Sequence, residues 1–279
     1  MPATPFDKIK EKLAKKIPKN LLNKIPDKWE KIGYVATIVL PSDLTNFKEN
    51  IGETYAKFLG CKTVLNDIGG ITGEYRVPKV EIIFGSEETE TVHRENGIRY
   101  KLDPQKIMFS SGNMSERIRM ASVSNSEEVV VDLFAGIGYF TLPIAVFGKP
   151  RRIFACEKNP LSYDYLCENI VLNNVTSIVE PLKGDNKKVA PRGVADRVIM
   201  GYIGDTLDFL PTAIGSLKNK SGVIHFHDKF SDKMIPDEAV NVVEEEAEKH
   251  DRRVKVLEYN KIKSYAPGID HYVFDLKIG

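Results

Sequence analysis

Cysteine is scarce in this chain: Cys61, Cys156 and Cys167 are the only three among 279 residues. Three scattered thiols exclude a disulfide framework and a cysteine-rich metal site, and leave small buried apolar side chains as their role. Net charge is nearly absent too. The 40 lysines and arginines meet 39 aspartates and glutamates, so the formal charge of +1 provides no whole-surface attraction for nucleic acid, and any such attraction must be local. No apolar run reaches the roughly 18 residues of a membrane helix, and the first residues lack the apolar core of a secretory signal, so a cytoplasmic protein is expected. A nucleophile elbow, a phosphate-binding lysine loop and an H-E-x-x-H pattern are missing, which removes several hydrolase and kinase chemistries. His225 and His227 alternate on a predicted strand with Asp228 beyond, but no third ligand at defined spacing accompanies them, and no metal is expected.

What the chain does carry is Val129-Val-Val-Asp-Leu-Phe-Ala-Gly-Ile-Gly-Tyr-Phe140. Its β-branched start suits a strand buried on both faces, and the glycines permit a tight turn and close approach of backbone to a ligand. The segment from Tyr139 to Phe147 then opens a helix. Glycine-rich turns of this kind serve nicotinamide, flavin, nucleoside and phosphate ligands alike. Glu157 narrows the choice, because it ends the next apolar run 21 residues beyond Gly136, the spacing at which an acid meets a ribose diol.

The chain divides near His93, into residues 1–92 and 93–279. Residues 1–31 hold nine lysines against Asp7, Glu11, Asp27 and Glu30, and the spacing of Phe6, Ile9, Leu13 and Ile17 predicts a helix over Asp7 to Lys16 with a basic outer face. That face is either an ordinary solvated surface or a patch that meets phosphates. Lys31 to Leu40 reads as a strand, Leu44 to Leu59 as a helix, and Thr63 to Asn66 and Lys79 to Phe84 as further strands around a Gly69-to-Gly73 loop. Thr91 to Leu102 reads as a hairpin turning at Asn96-Gly97. Ser115 is placed to cap a helix whose Arg117 and Arg119 point to different faces, one for an anion and one for local pairing.

Seven strands follow: Glu128 to Leu133, Arg152 to Glu157, Ser177 to Leu182, Arg197 to Met200, Gly222 to His227, Arg253 to Tyr259 and His271 to Ile278. Helices over Leu161 to Asn173, Thr206 to Leu217 and Asp237 to Lys249 imply a mostly parallel sheet covered on both faces. Too few residues join the last two strands for a parallel crossover, so the final strand is predicted antiparallel. An acid ending strand two and a reversed last strand favour an α/β arrangement of the S-adenosylmethionine type, with a small N-terminal α+β domain, over a six-stranded dinucleotide fold. Asp185 would then face adenine or cap its loop, and Gly201 would approach the reacting end of the cofactor.

Together, Phe109 to Arg119, Asp132 to Phe140, Glu157 to Pro160, Met200 to Tyr202, His225 and Ser264 to Pro267 resemble the archaeal and eukaryotic tRNA methyltransferase family that modifies guanosine 37, over about residues 90–279. The resemblance implies an α/β class I S-adenosylmethionine-dependent transferase fold, S-adenosylmethionine as cofactor and the anticodon region of tRNA(Phe) as partner. Methylating members carry Asn-Leu-Pro after strand four; this chain has Met200-Gly201-Tyr202, and Ser111-Gly112-Asn113 lacks their Pro-Arg pair. Both departures match the wybutosine branch, which transfers the 3-amino-3-carboxypropyl group to 4-demethylwyosine. The resemblance also assigns residues. Phe109, Ser110, Arg117, Asp132, Phe134, Gly136, Glu157, Lys158, Asp185, Asn186 and Gly201 are expected around the cofactor, with Arg117 and Tyr202 nearest the chemistry. His225 and Tyr265 are expected on the tRNA side of a monomer, and Lys15, Lys16, Lys19 and Lys24 of the basic N-terminal segment are expected to contribute phosphate contacts there. A guanosine-37 N1-methyltransferase using the same pocket, and a noncatalytic RNA-binding protein of the same fold, remain the alternatives.

Overall fold

The computed structural model describes residues 3–279. It forms two compact units, Met1–Ser111 and Gly112–Gly279.

In the first unit, helix α1 (Pro5–Leu13) starts where Thr4 and Asp7 bond each other's backbone N–H and Pro5 takes the first turn. It buries Ile9 and Leu13 and leaves the lysines between them in water. The predicted single strand over Lys31 to Leu40 is two strands, β1 (Glu30–Ile32) and β2 (Val35–Ile38), folded back at Gly33, whose φ of +55° a side chain rarely adopts. Helix α2 (Lys48–Leu59) follows a 3-10 turn over Ser42–Phe47 and stops at Gly60. Strand β3 (Thr63–Thr72) runs on through the expected glycine loop to pair with β4 (Val77–Phe84). The sheet order is β1-β2-β3-β4, parallel only between β2 and β3. Its core joins Ile9, Leu13, Ile38, Leu44, Ile51, Tyr55 and Val64. Strands β5 (Thr91–Glu95) and β6 (Ile98–Leu102) are the predicted hairpin, with Asn96 and Gly97 both at positive φ.

The second unit opens with helix α3 (Met114–Met120), which begins before Ser115, so that residue lies inside the helix and does not cap it. Then come β7 (Val129–Asp132), α4 (Thr141–Pro143) running into a π-helical turn over Ile144–Gly148, β8 (Arg152–Glu157), α5 (Pro160–Leu172), β9 (Val179–Lys183), α6 (Asn186–Val189) and β10 (Arg197–Met200). A 3-10 turn over Thr206–Phe209, α7 (Leu210–Ser216), β11 (Gly222–Ser231), α8 (Asp237–Glu248), β12 (Val254–Ala266) and β13 (Ile269–Ile278) complete it. The seven strands lie in the order β12-β13-β11-β10-β7-β8-β9, with β13 antiparallel to both its neighbours.

The four residues of β7 are all buried, as a strand covered on both faces requires. From β7 the chain winds outward to β8 and β9, then returns to lay β10 on the other side of β7. That reversal opens a crevice at the carboxyl ends of β7 and β10, where open α/β sheets hold their ligands. Beneath it, Val131, Val198, Met200, Ile224, Phe226 and Phe274 pack with Leu210 and Ile214 of α7 and Val243 of α8. No helix among the described residues is long and apolar enough to cross a membrane.

Candidate functional site

The crevice is built from the turn after β7. Leu133 N–H bonds the Ile199 carbonyl (3.0 Å) and Ala135 N–H bonds the Cys156 carbonyl (2.9 Å), which ties the turn to the strands on either side. Gly136 and Gly138 take φ values of +57° and +102°, and a Cβ on Gly136 would lie 2.4 Å from the Tyr139 ring. Only glycine suits this turn.

Glu157, at the end of β8, accepts the Gly136 N–H (2.8 Å) with one carboxylate oxygen and the Asn159 N–H (2.7 Å) with the other. Burial raises its pKa against these bonds. A carboxylate acceptor thus sits beside the glycine turn, a group suited to ribose hydroxyls. Asn159, which sequence reasoning did not assign, also caps α5 by accepting the Leu161 N–H (3.0 Å), with Pro160 at the first helical position. The Asn-Pro pair was the available signal for it.

At the end of β9, Asp185 caps α6 by accepting the Lys187 N–H (3.0 Å). Its neighbour Asn186 donates to the Leu133 carbonyl (2.8 Å), while its amide oxygen is buried without a hydrogen-bond partner among the described residues. Such an oxygen is a ready acceptor for an amino group entering the crevice. Phe134 stacks on Tyr202 with centroids 5.0 Å apart and meets Phe209 edge-on at 4.9 Å, forming an aromatic wall. Gly201 brings backbone against the Phe140 ring, which in turn stacks on His227 at 5.1 Å. A carboxylate acceptor, an unpartnered amide oxygen and an aromatic wall are together suited to a nucleoside.

Several of the expected residues are buried. Asp132 is 1% exposed, with one oxygen accepting the Thr141 hydroxyl (2.7 Å) and the other the Phe134 N–H (3.1 Å), so it shapes the turn from within. His225, expected on the tRNA side, is also 1% exposed, with Nδ1 2.6 Å from Asp275 and Nε2 2.7 Å from Arg197. A guanidinium only donates, so Nε2 accepts and Nδ1 carries the proton toward Asp275. His225 is therefore neutral, and burial lowers its pKa accordingly. Phe109, 5% exposed, packs on His93 (4.9 Å) and Tyr100 (5.3 Å) within the first unit, next to Ser110. Arg117 is 3% exposed on α3, Lys158 is exposed just past β8, and Tyr265 is exposed near the end of β12 under the Lys229 amine. Among the lysines, Lys16 pairs with Glu53 and Lys24 with Asp43, whereas Lys15 and Lys19 are exposed without an acid partner among the described residues.

Burial pushes the Asp132 pKa from an ordinary 3.8 up to about 6, so the folded state binds its proton over a range where the unfolded chain does not. Stability from this group is complete below about pH 4 and falls as pH rises to about 6. Asp132→Asn removes the titrating proton while its amide oxygen can still accept the Phe134 N–H. Thermal melts of this variant between pH 4 and 7 should lack that fall, and an unchanged slope would refute the assignment.

Comparison with known proteins gives the family. The TRM5/TYW2 methyltransferase domain model matches residues 91–257, and the TYW2 N-terminal domain model matches residues 9–89. The chain belongs to the TRM5/TYW2 family. It is 43% identical, over 97% of its length and 96% of the relative's, to a tRNA(Phe) (4-demethylwyosine(37)-C(7)) aminocarboxypropyltransferase of Pyrococcus horikoshii. A Methanocaldococcus jannaschii protein of the same name is 45% identical, over 90% of this chain and 97% of that one. The crystal structure of P. horikoshii TYW2 in complex with MeSAdo matches with a TM-score of 0.88 at 40% identity, covering 98% of each chain. The two domain models meet between residues 89 and 91, ahead of the β5–β6 hairpin, while compactness places that hairpin in the first unit.

Proposed function

We propose that this chain transfers the 3-amino-3-carboxypropyl group of S-adenosylmethionine to 4-demethylwyosine at position 37 of tRNA(Phe), releasing 5'-methylthioadenosine. The observation that carries it is near full-length likeness, at 43% and 45% identity, to two aminocarboxypropyltransferases of that specificity. The enzyme would act as a monomer on the anticodon region, in the cytoplasm.

When bound, S-adenosylmethionine supplies a sulfonium whose attached carbons are electrophilic and whose sulfur leaves as a neutral thioether. The chain's own residues supply position. Glu157 takes the ribose hydroxyls, Asn186 and Asp185 meet the adenine edge, and Phe134 and Tyr202 wall the crevice. Gly201 borders the group in transfer, and Arg117 lies toward the reacting or carboxylate end. Presenting the γ-carbon, and not the methyl, to the substrate carbon is a matter of alignment. The assignments of Phe109 and Ser110 rest on the family resemblance.

Cofactor labelled separately in its methyl and aminocarboxypropyl parts tests the reading. The aminocarboxypropyl label should enter tRNA with a mass gain of about 101 Da, while the methyl label leaves in 5'-methylthioadenosine. Methyl label in tRNA, with a gain of about 14 Da, would establish the methylating alternative instead.

For tRNA binding, Lys15 and Lys19 are expected to outweigh Lys16 and Lys24, whose charges are already met by Glu53 and Asp43. Lys15→Ala with Lys19→Ala should lower the slope of log K against log salt by about 1 to 2 and leave cofactor affinity unchanged. Equal slopes for wild type and variant would remove these lysines from the interface.

A further inference from the structure

The sheet of the second unit has a cavity of about 460 Å³ at the end away from the crevice, where β7 and β8 begin. A short crossover leaves it open. Helix α6, between β9 and β10, has four residues and reaches about 6 Å, against about 20 Å for the six residues of β8. Phe154, on the same face of β8 as Arg152, therefore stays half-buried and forms the floor with Val129.

The rim is fixed by backbone bonds. The N–H groups of Gly193 and Val194 bond the Gly215 and Ser216 carbonyls (both 3.0 Å), and Lys218 N–H bonds the Ala195 carbonyl (2.7 Å). On the opposite side Arg151 N–H bonds the Glu128 carbonyl (2.9 Å). Gly193 has a φ of +67°, and no atom lies within 4 Å of where its Cβ would stand, so this wall is bare backbone beside open space. A rim held in this way costs little to order around a ligand.

The lining carries charge of one sign. Arg151, Arg152 and Lys218 face the cavity and no acid does. Arg152 pairs with Glu180 and lays its guanidinium over the Phe154 ring at 5.2 Å. Arg151 and Lys218 are exposed without an acid partner among the described residues. In a chain of net charge +1, these two cations make a local attraction for an anion. The floor adds a second condition. An aromatic ring and a guanidinium plane are the surfaces on which unpaired bases stack, whereas a small inorganic anion would leave the apolar floor uncovered.

We propose that this cavity is a second nucleotide site, with Arg151 and Lys218 on the phosphate and the base against Phe154 and Arg152. Its volume suits a ligand of that size. Glu157 ends β8 about 17 Å along the strand from Arg152, so a ligand in the crevice leaves the cavity free. A free nucleotide and a nucleotide within an RNA strand present the same chemistry to it.

Titration calorimetry of the full chain with uridine 5'-monophosphate, uridine, inorganic phosphate and a uridine tetranucleotide tests the site. The monophosphate should bind with a dissociation constant below about 1 mM, and uridine and inorganic phosphate each at least about tenfold more weakly. Arg151→Glu with Lys218→Glu should weaken the monophosphate at least about tenfold, at an unchanged melting temperature because both positions are exposed. Glu157→Gln, which alters the crevice, should leave that affinity within about twofold. A tetranucleotide bound about tenfold tighter than the monophosphate upholds the site with an RNA strand as its ligand, and equal affinity upholds it with the free nucleotide. No saturable binding of either probe up to about 5 mM overturns the proposal, as does an affinity that survives the double charge reversal or falls with Glu157→Gln. Inorganic phosphate bound as tightly as the monophosphate also overturns it. Should the charge-reversed protein fail to fold, Arg151→Ala with Lys218→Ala takes its place with the same expectations.

Discussion

Glu157→Gln is expected to weaken S-adenosylmethionine binding by about 30- to 100-fold, a loss of about 2 to 3 kcal/mol from charge-assisted hydrogen bonds. The carboxylate oxygens already accept two backbone N–H groups at 2.8 and 2.7 Å. Glutamine has one oxygen, so its amide N–H₂ must face either Gly136 N–H or Asn159 N–H, donor against donor. The ribose would also meet a neutral partner where a charge had stood. Stability should change far less than affinity. Burial penalises the native carboxylate, as its raised pKa records, and a neutral side chain escapes that penalty while losing one bond. Titration calorimetry beside a thermal melt separates the two effects. A dissociation constant within about threefold of wild type would remove Glu157 from the ribose site.

The same residue shows which kind of structure was legible beforehand. Strands Arg152–Glu157 and Arg197–Met200 fall where the sequence places them, because a charged residue opens each apolar run and a turn residue closes it. The reversed last strand followed from loop length alone. Strand ends set by a distant partner were not legible. Strand β13 pairs along ten residues with β11, and that ladder carries β11 on to Ser231, beyond its predicted end at His227. In β3, Asp67 accepts the N–H groups of Gly69 and Gly70 and lets the strand bulge and continue where glycines signalled a loop.

Side-chain partners were harder still. The sequence places His225 and His227 on one face of a strand, but Arg197 stands 28 residues from His225, Asp275 50 residues from it, and His271 44 residues from His227. Only the folded sheet shows that His225 is buried between Asp275 and Arg197. The two arginines of α3 were left interchangeable by their spacing. The structure divides them: Arg119 bonds Glu116 and Asp275, while Arg117 is the more deeply buried of the two.

Gly201→Leu is expected to lower kcat by about a hundredfold, the scale on which a displacement of roughly 1 Å at a reacting centre costs activity. A Cβ at this position would lie 2.7 and 2.8 Å from two carbons of the Phe140 ring, too close for either to remain in place. Phe140 cannot yield inward, because its face rests on the His227 ring and both residues are buried. Overpacking of this kind costs about 1 to 3 kcal/mol, so the melting temperature should fall as well. Leucine is also what the methylating branch is expected to carry here, and in this chain its volume is already occupied by Phe140. Phe140→Ala in the Gly201→Leu background should recover most of the melting temperature by vacating that volume. The ratio of methyl to aminocarboxypropyl product on tRNA then reports whether the exchanged volume also moves the electrophile. Wild-type kcat and stability in Gly201→Leu would show that Phe140 and Gly201 do not shape the floor of the site.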